Sequence, residues 1–396
     1  MARAFEGILV VDLGQIYNGP YCTMLMAQLG ADIIKVEPFT GEPVRWRVVG
    51  GKETQAFVLL NAGKRSLRLD LKVTEGRDLL LRLVEKADVL VENFAPGTME
   101  RLGLSYDVIR ERNPRIIFAS GKGYGSSGPY RDLRAMDLTV QAMSGILACT
   151  GYTDQPPVKA GAALADFAAG IHLMAGISAA LYQRTVTGRG QYVEVSMYDS
   201  VIPTLTSNIA GYLDSNGSLP ERTGNRHGGL AICPYNVYPS KDGWVAIMCI
   251  SDRHWISLAH IMQRTDLAND PELQTNPDRA ARMDRLDNII SEWTSTVTTT
   301  DLIDMLYIEN IPAAPVVSLA KLLIDPQVQE REMLRKVEQP GRGEMLTFGN
   351  PIRLSDSDPV PLLPAPELGE HSAIVLEEHL GLNQDNVADL ITKGVI

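Results

Sequence analysis

The chain has 396 residues, of which 45% are hydrophobic and 21% are charged. These proportions exclude a disordered, collagen-like or low-complexity chain, and the length predicts two or three globular domains. The formal net charge of −11 and a pI near 5.1 argue against general binding to nucleic acids or anionic membranes, because both require a basic surface.

The first half of the chain alternates strand and helix patterns. Short apolar or alternating runs predict strands at residues 8–13, 32–37, 66–71, 88–93, 115–120 and 192–195. Helices are predicted after the first, third and fourth of these, where Pro20, Thr74 and Ser105 can begin them. This order is typical of a parallel sheet covered by helices, in which ligands bind beyond the carboxyl ends of the strands.

One segment has the length of a membrane span. Residues 161–182 form 22 nearly all apolar positions. Asp166 and His172 lie inside this segment, and ionisable side chains at membrane depth are costly. A helix that is apolar all round is also typical of a buried central helix, which is the interpretation we favour.

The second half of the chain changes in character. Residues 214–230 are rich in Gly, Ser, Asn and Pro and predict a loop or linker. The runs NVYP and WVAIMC, joined by the turn KDG, then predict a hairpin. Helical patterns occupy residues 252–263 and 278–309. The sequence therefore predicts an α/β protein with a large domain at 1–221 and 321–396 and a smaller α+β domain at 222–320.

The N-terminal run and the cysteines indicate the compartment. The run MARAFEGILVVDLG lacks the long apolar region of a signal peptide and is typical of a strand. The four cysteines have spacings that match neither a zinc site nor a disulfide framework: Cys22, Cys149, Cys233 and Cys249. Both features predict a cytoplasmic protein with reduced thiols.

A glycine-rich loop from Gly123 to Gly128 matches the dinucleotide pattern GxGxxG, which makes an NAD(P)-dependent oxidoreductase one hypothesis. However, Pro129 and a polar stretch follow the loop instead of a clean helix, and the pattern comes after the fourth or fifth strand. A flexible loop beside another ligand is favoured. The histidines show no metal-binding spacing, and no GxSxG serine motif is present.

Asp166 is the only carboxylate in the run AALADFAAGIHLMAG. A buried carboxylate is costly unless it is paired or hydrogen-bonded, so Asp166 marks either a helix N-cap or a functional site. The residue alone favours the cap. A set of basic residues at predicted loop ends either binds phosphates or is simply solvated: Lys64, Arg65, Arg68, Lys72, Arg101 and Arg134.

Several stretches together resemble the family III CoA-transferases, also called the CaiB/BaiF family. The resemblance spans nearly the whole chain and rests on VVDLGQIYNGPYCTMLMAQLGADIIKVEP, NAGKRSLRLDLK, ADVLVENFAPGTMERLGL, NPRIIFASGKGYGSSGPY, ALADFAAG and TGRGQYVEVSMYDS. It implies a Rossmann-like large domain built from both chain ends, an inserted smaller domain, and an interlocked homodimer. It also implies an acyl-CoA and a small carboxylic acid as substrates, with no permanently bound cofactor and no metal.

The resemblance implies residue roles as well. Asp166 matches the family's aspartate nucleophile, which forms an aspartyl mixed anhydride and then an aspartyl-CoA thioester. The positions that match family contacts to CoA are Tyr17, Asn18, Leu69, Asp70, Leu71, Lys72, Asn93, Phe94, Ala95, Arg101, Arg134, Ala135, Met136 and Asp137. Arg101 matches a phosphate-binding arginine, and the segment from Arg134 to Asp137 lies nearer the thioester.

Departures from the family pattern bear on the substrate. Formyl-CoA:oxalate transferases have Gln at the position of Tyr17, Arg at the position of Pro38 and four glycines near residues 224–229. We therefore do not expect oxalate and formate as substrates. Three arginines either bind a second substrate carboxylate, as in a succinyl-type acid, or are surface residues: Arg45, Arg47 and Arg226.

The racemase branch of the family is an alternative. Its members place a catalytic His before an Asp, whereas this chain has Ala135 and Met136 before Asp137. Without that His, a two-base racemisation lacks one proton carrier, so a 2-methylacyl-CoA racemase is the weaker hypothesis. An inactive CoA-binding subunit of a larger enzyme is a further alternative.

Overall fold

The structure is a computed structural model and describes residues 2–46 and 54–396. Its strands are β1 (Leu9–Asp12), β2 (Asp32–Glu37), β3 (Arg65–Arg68), β4 (Val89–Glu92), β5 (Ile117–Lys122), β6 (Gln191–Ser196), β7 (Tyr235–Ser240), β8 (Gly243–Met248), β9 (Ala313–Pro315), β10 (Leu334–Gln339) and β11 (Gly343–Phe348).

The α-helices are α1 (Asn18–Ala27), α2 (Gln55–Asn61), α3 (Thr74–Val84), α4 (Thr98–Arg101), α5 (Tyr106–Arg112), α6 (Asp137–Met143), α7 (Ile146–Cys149), α8 (Leu164–Thr187), α9 (Met197–Val201), α10 (Thr206–Asp214), α11 (Asp252–Ile261), α12 (Thr265–Ala268), α13 (Asn276–Ala280), α14 (Met283–Thr294), α15 (Thr299–Ile308), α16 (Leu319–Leu322), α17 (Pro326–Glu330), α18 (Ser372–Leu380) and α19 (Gln384–Thr392). Short 3₁₀ helices occupy Ile202–Leu205 and Pro271–Leu273.

The central sheet has six parallel strands in the order β3-β2-β1-β4-β5-β6. This is the order of a Rossmann-type doubly wound sheet, and it confirms the predicted Rossmann-like fold. The strand order reverses between β1 and β4, where Val10 pairs with Val89. Strands β1 and β4 are buried throughout, because helices cover both faces of a parallel sheet.

Two helical layers cover the sheet. On one face, α3, α5, α18 and α19 contribute buried apolar side chains such as Leu80, Ile109 and Leu376. On the other face, α1 and α8 contribute side chains such as Met26 and Leu173. The loops that connect the strands to these helices lie at the carboxyl ends of the strands.

The described chain divides into two compact units. The larger unit comprises residues up to 140, 162–201 and 323–396, and the smaller unit comprises residues 141–161 and 202–322. In the smaller unit, an antiparallel sheet β7-β8-β9 packs with helices around Trp255, Leu258 and Leu306. The larger unit also holds the antiparallel pair β10-β11.

This division differs from the predicted boundaries at 221/222 and 320/321. Residues 141–161 and 202–221 belong to the smaller unit. Hydrogen bonds account for part of this arrangement, since the Gly224 N–H donates to the Gly151 carbonyl at 2.9 Å and the Thr153 hydroxyl donates to the Arg222 carbonyl at 2.7 Å. The sequence pattern contains no signal for such pairings between distant loops.

Helix α8 contains the long apolar run of the sequence. In the described part of the chain it is the one helix whose length and composition would allow it to cross a bilayer. Its Leu173 and Ile177 are buried in the core, whereas Tyr182 is 75% and Val186 is 78% exposed. The expected burial on all sides is therefore wrong for this chain, because α8 buries one face only.

Candidate functional site

Asp166 lies in the first turn of α8 and is 8% exposed. It is not the N-cap of that helix, as its position in the sequence alone suggested. The Oδ1 atom of Asp137 accepts hydrogen bonds from the backbone N–H groups of Ala165 at 2.8 Å and Asp166 at 3.3 Å. Asp137 therefore supplies the capping oxygen from another loop, and Asp166 is not the cap of its own helix.

The first turns of α1 and α8 pack side by side. The Phe167 ring lies 4.7 Å from the Tyr21 ring and 5.9 Å from the Tyr17 ring, measured between centroids. Gly170 faces the Asn18 carbonyl so closely that a Cβ atom would lie 2.9 Å from that oxygen. Burial raises the pKa of the Tyr21 phenol. Asn18 and Asp166 thus occupy neighbouring helix N-termini at one edge of the sheet.

The loop after β1 is tied to the loop after β4. The carboxamide of Asn93 accepts from the Gln15 N–H at 2.8 Å and donates to the Gln15 carbonyl at 2.8 Å. This pairing spans the point where the strand order reverses. The Asn93 side chain therefore holds the first loop, and its role in positioning Gln15 was not predicted from the sequence.

Glu92 fixes the Phe94 loop. Its carboxylate accepts from the Phe94 N–H at 2.9 Å and from the Lys122 ammonium at 2.8 Å, while Ser120 donates to it as well. The Lys122 ammonium also donates to the Phe94 carbonyl at 3.2 Å. The backbone of this predicted CoA-contact loop is therefore held in one conformation by a buried carboxylate.

A buried polar network lies beneath the first loop. The Lys64 ammonium donates to Asp12 Oδ2 at 3.1 Å, Thr23 Oγ1 at 2.7 Å and Asn61 Oδ1 at 2.9 Å. Burial lowers the pKa of Lys64 to about 8. Burial alone would raise the pKa of Asp12, but the neighbouring lysine charges and the Thr23 hydroxyl hold it below its ordinary value.

Two of the candidate phosphate-binding residues are already paired within the chain. Lys64 is fully occupied by the network around Asp12, and Arg65 forms ion pairs with Asp32 and Glu378. The Arg68 guanidinium lies 4.6 Å from the centre of the Phe39 ring. Of the basic set, Lys64 and Arg65 are therefore structural in this fold.

The other predicted contact residues follow the ends of parallel strands. Leu69 to Lys72 come directly after β3, Asn93 to Ala95 come directly after β4, and Tyr17 precedes α1. The carboxyl ends of parallel strands meet at the same edge, so the sheet brings these loops together. Two further segments complete the set: Arg101 at the end of α4 and Arg134–Asp137 before α6.

Individual side chains in this set differ in what they present. Leu69 is buried in the core, so its backbone alone is presented at the edge. The Asp70 carboxylate accepts from the Lys72 N–H at 2.9 Å. The Arg101 guanidinium donates to the Thr98 hydroxyl at 2.7 Å.

The arginines suggested for a second carboxylate do not support that role. Arg45 is fully buried, forms a two-point ion pair with Glu37 at 2.6 and 2.9 Å, and lies against Phe57. Arg226 pairs with Asp284 and Asp287, both at 2.7 Å. The chain's own carboxylates therefore occupy both groups, and Arg47 lies outside the described residues.

The glycine-rich loop after β5 does not form a dinucleotide-binding turn. Gly125 and Gly128 have positive φ angles of 89° and 81°, and the next helix, α6, begins only at Asp137. The fingerprint requires a helix N-terminus directly after the loop. Instead, the Ser126 N–H donates to Glu194 at 3.0 Å, which folds the loop against β6.

The larger unit has a cavity of about 530 Å³ away from this edge. It is lined by the end of α1 at Gln28 and by residues between 331 and 363. The end of α1 points to the amino ends of the strands, so this cavity is separate from the loops around Asp166. In the described residues, no group of three or more His, Cys, Asp and Glu side chains is arranged to hold a metal ion.

Comparison with known proteins identifies the family of this chain. The chain matches CoA-transferase family III over residues 5–372. It is 37% identical to the formyl-CoA:oxalate CoA-transferase of Streptomyces avermitilis, with 100% of both chains covered. It is 40% identical to the succinyl-CoA:mesaconate CoA-transferase of Haloarcula hispanica, with 95% of this chain and 96% of the relative covered.

A solved structure shares the fold. The crystal structure of a CaiB/BaiF family protein from Brucella suis matches with a TM-score of 0.84 and 34% identity, over 96% of this chain and 100% of that one. The matches in sequence and in structure both extend over nearly the whole chain. The chain therefore belongs to CoA-transferase family III, and it is an enzyme that transfers CoA between a CoA thioester and a carboxylic acid.

Proposed function

We propose that this enzyme moves CoA from succinyl-CoA or a similar dicarboxylic acyl-CoA to a carboxylic acid, through covalent intermediates on Asp166. The observation that carries the proposal is the placement of Asp166. Its carboxylate is nine-tenths buried at a helix N-terminus, where the positive end of the helix dipole favours a carboxylate, while Asp137 satisfies its backbone N–H.

The first half of the reaction makes an activated aspartyl group. An oxygen of Asp166 attacks the thioester carbon, a C–O bond forms, the C–S bond breaks, and the electron pair leaves with sulfur as CoA thiolate. The thiolate then attacks the aspartyl carbonyl of this mixed anhydride, which releases the donor acid and leaves an aspartyl-CoA thioester. Splitting the exchange in this way replaces one difficult step by easier ones.

The second half repeats these steps with the acceptor. The acceptor carboxylate attacks the aspartyl carbon and displaces CoA thiolate, which gives a second mixed anhydride. The thiolate attacks the acceptor's acyl carbon, and the Asp166 carboxylate leaves unchanged. Between the addition steps the negative charge rests on a carboxylate or a thiolate, and no proton or redox equivalent is transferred, so we propose that no metal, general acid or resident cofactor takes part.

We propose that CoA binds along the loops at the carboxyl edge of the sheet. The segments after β1, β3 and β4 supply backbone groups, and Lys72 and Arg101 supply positive charge for the phosphates. The segment Arg134–Asp137 lies next to the start of α8 through the Asp137 hydrogen bonds, so the thioester end belongs there. Binding energy from the nucleotide end then positions the thioester against Asp166.

Two considerations favour a dicarboxylic acyl-CoA donor over formyl-CoA. The succinyl-CoA:mesaconate CoA-transferase is 40% identical to this chain. In addition, this chain has Tyr17 and Pro38 at the positions where formyl-CoA:oxalate transferases have Gln and Arg. The alternative of a racemase is disfavoured separately. The run Ala135-Met136-Asp137 lacks the catalytic His of the racemases, and Asp137 accepts hydrogen bonds from the backbone of α8. The cation for a second carboxylate is then neither Arg45 nor Arg226.

We further propose a homodimer in the cytoplasm. Exposed apolar side chains on α8, among them Tyr182 and Val186, form a face that another copy of the chain would cover. The four cysteines are all free thiols, which suits a reducing compartment. Analytical ultracentrifugation of the purified chain tests the dimer, because a single species at 43.3 kDa contradicts it.

The test of the mechanism is to trap the activated aspartate. The enzyme is incubated with succinyl-CoA, treated with hydroxylamine, which converts an activated carboxyl to a hydroxamate, and digested for mass spectrometry. We expect the modification on Asp166 in the wild type and in Asp132→Asn, an exposed carboxylate on a nearby loop, but not in Asp166→Asn. A hydroxamate on another residue, or none with any acyl-CoA of a panel, contradicts the proposal.

A further inference from the structure

The side chain of Asn18 is a buried amide without a partner. Asn18 is 2% exposed, and its Oδ1 atom has no hydrogen-bond partner in the described chain. No hydrogen bond of the described residues uses its Nδ2 atom either. Most buried polar groups in folded proteins are paired, so an unpaired amide at this depth requires an explanation.

Two glycines lie against Asn18, one facing its carboxamide and the other its backbone carbonyl. A Cβ atom at Gly121, near the end of β5, would lie 2.8 Å from Asn18 Oδ1 and 3.1 Å from Nδ2. A Cβ atom at Gly170 on α8 would lie 2.9 Å from the Asn18 carbonyl oxygen. Asn18 therefore lies where β5, α1 and α8 meet, with its carboxamide against β5 and its backbone carbonyl against Gly170, one helical turn beyond Asp166.

Two other asparagines of the same unit, the buried Asn61 and the half-buried Asn93, have both side-chain groups paired. Asn61 donates to the Phe57 carbonyl at 3.0 Å and accepts from Lys64 at 2.9 Å. Asn93 makes both of its hydrogen bonds to Gln15. The Gln28 carboxamide also has a buried oxygen without a partner among the described residues, but its Nε2 donates to the Phe348 carbonyl at 2.6 Å, whereas neither group of the Asn18 carboxamide is paired there. Local costs of this kind are concentrated at functional sites.

We propose that the Asn18 carboxamide is a further catalytic group of this enzyme, which donates an Nδ2–H hydrogen bond to the thioester oxygen as that oxygen becomes negative. The inference rests on the proposed role of Asp166. When the carboxylate attacks, the C=O electron pair moves onto oxygen, and it returns when the C–S bond breaks. Asn18 neither gives nor takes a proton.

The same donor can serve each addition step. All four steps pass through a tetrahedral intermediate with one oxyanion, formed either on the acyl carbon or on the aspartyl carbon. A donor that is already desolvated and held in place by packing pays no reorganisation cost when the charge appears. Because the Asn18 carboxamide has no partner among the described residues of the free enzyme, its N–H is available to the oxyanion when the reaction begins.

The test measures rate and stability in the same variants. For Asn18→Ala we expect single-turnover release of succinate from succinyl-CoA to slow by about 10²- to 10³-fold, as for loss of one oxyanion donor, with little change in KM. We expect its melting temperature to stay equal or to rise, because the variant removes an unpaired buried amide. Asn18→Ser, which keeps a small donor, should be intermediate in rate.

The matched control is Asn61→Ala. It removes a buried amide that is paired, so its melting temperature should fall because Lys64 and Phe57 lose a partner. An Asn18→Ala enzyme that releases succinate at the wild-type rate, or that is less stable than wild type, overturns the inference. Failure of the aspartate mechanism is seen separately, because the wild type would then give no hydroxamate on Asp166.

Discussion

The Asp137 carboxylate accepts a hydrogen bond from the backbone N–H of Asp166 at 3.3 Å, and its second acceptor contact, to Ala165, is 2.8 Å long. A residue from one loop thus fixes the first turn of the helix that carries the candidate nucleophile. Helix α8 has no capping side chain of its own at Ala163, so this contact has no local substitute.

Replacing Asp137 should therefore affect both stability and rate. For Asp137→Ala we expect a loss of about 1 kcal/mol in the free energy of unfolding, as for loss of an N-cap. We also expect a decrease in kcat, because the first turn of α8 frays around Asp166. Asp137→Asn keeps an acceptor oxygen and should retain most of both. Urea unfolding and steady-state kinetics measure these quantities, and an Asn variant as impaired as the Ala variant would contradict positioning by hydrogen bonding.

The Glu37–Arg45 pair should determine part of the acid stability. Burial would raise the pKa of Glu37, but the Arg45 guanidinium and Lys35 hold it below its ordinary value of 4.5. A lowered carboxyl pKa contributes stability above that ordinary value, and the contribution is lost as the pH falls through the folded-state pKa. We expect Glu37→Gln to lose about 3–5 kcal/mol at pH 7 and to show a flatter decline between pH 5 and pH 3.

The control for this prediction is an exposed ion pair. Glu344 pairs with Lys336 at 2.7 Å, and both side chains are more than half exposed. Glu344→Gln should change the free energy of unfolding by less than about 1 kcal/mol. Equal effects of the two substitutions would show that burial of the Glu37 pair is not what makes it stabilising.

The thiols should differ sharply in reactivity. Burial raises the pKa of Cys233 to about 12 and the pKa of Cys249 to about 12, and it raises the pKa of Cys22 further. Cys149 is partly exposed. With Ellman's reagent at pH 8, we expect one thiol to react in the native protein and four in urea. Cys149→Ser should abolish the native reaction, and a second reactive thiol would contradict the burial pattern.

The Asn93–Gln15 pairing should control CoA affinity. Asn93→Ala frees the loop after β1, so we expect KM for the acyl-CoA to rise about tenfold, which corresponds to about 1.4 kcal/mol. Asn93→Asp keeps the acceptor for the Gln15 N–H and should show a smaller rise. Initial rates at varied succinyl-CoA measure this, and an unchanged KM in the Ala variant would mean that the loop keeps its conformation without the pairing.

Much of the larger unit could be predicted from the sequence. Buried parallel strands are nearly continuous apolar runs, so all six strands of the sheet were found, with ends that differ from the structure by at most three residues. Helix α2 (Gln55–Asn61) was missed, because its seven residues are too few to show a helical period. Because the carboxyl ends of parallel strands lie at the same edge of a sheet, the strand prediction was enough to place the predicted contact loops together.

The relationships between distant residues could not be predicted in this way. Nothing near Asp166 in the chain indicates that Asp137 caps its helix, and nothing near Arg45 indicates its ion pair with Glu37. A local pattern records which face of a segment is apolar, whereas a polar contact depends on which loops the fold brings together. This is why the sequence around Asp166, taken alone, favoured a helix cap, and why it left Arg45 open as either a surface residue or a ligand of a second carboxylate.

The packing of α18 and α19 on the sheet has a consequence for synthesis on the ribosome. Their residues cover the outer part of the sheet, where Arg68 N–H donates to Ser372 and Asp70 N–H donates to the Val395 carbonyl. The strands they cover are made some 300 residues earlier. Helices α3 and α5 are made early and cover their share of this face, but the part beneath α18 and α19 stays open during most of translation, an interval in which exposed apolar surface favours aggregation.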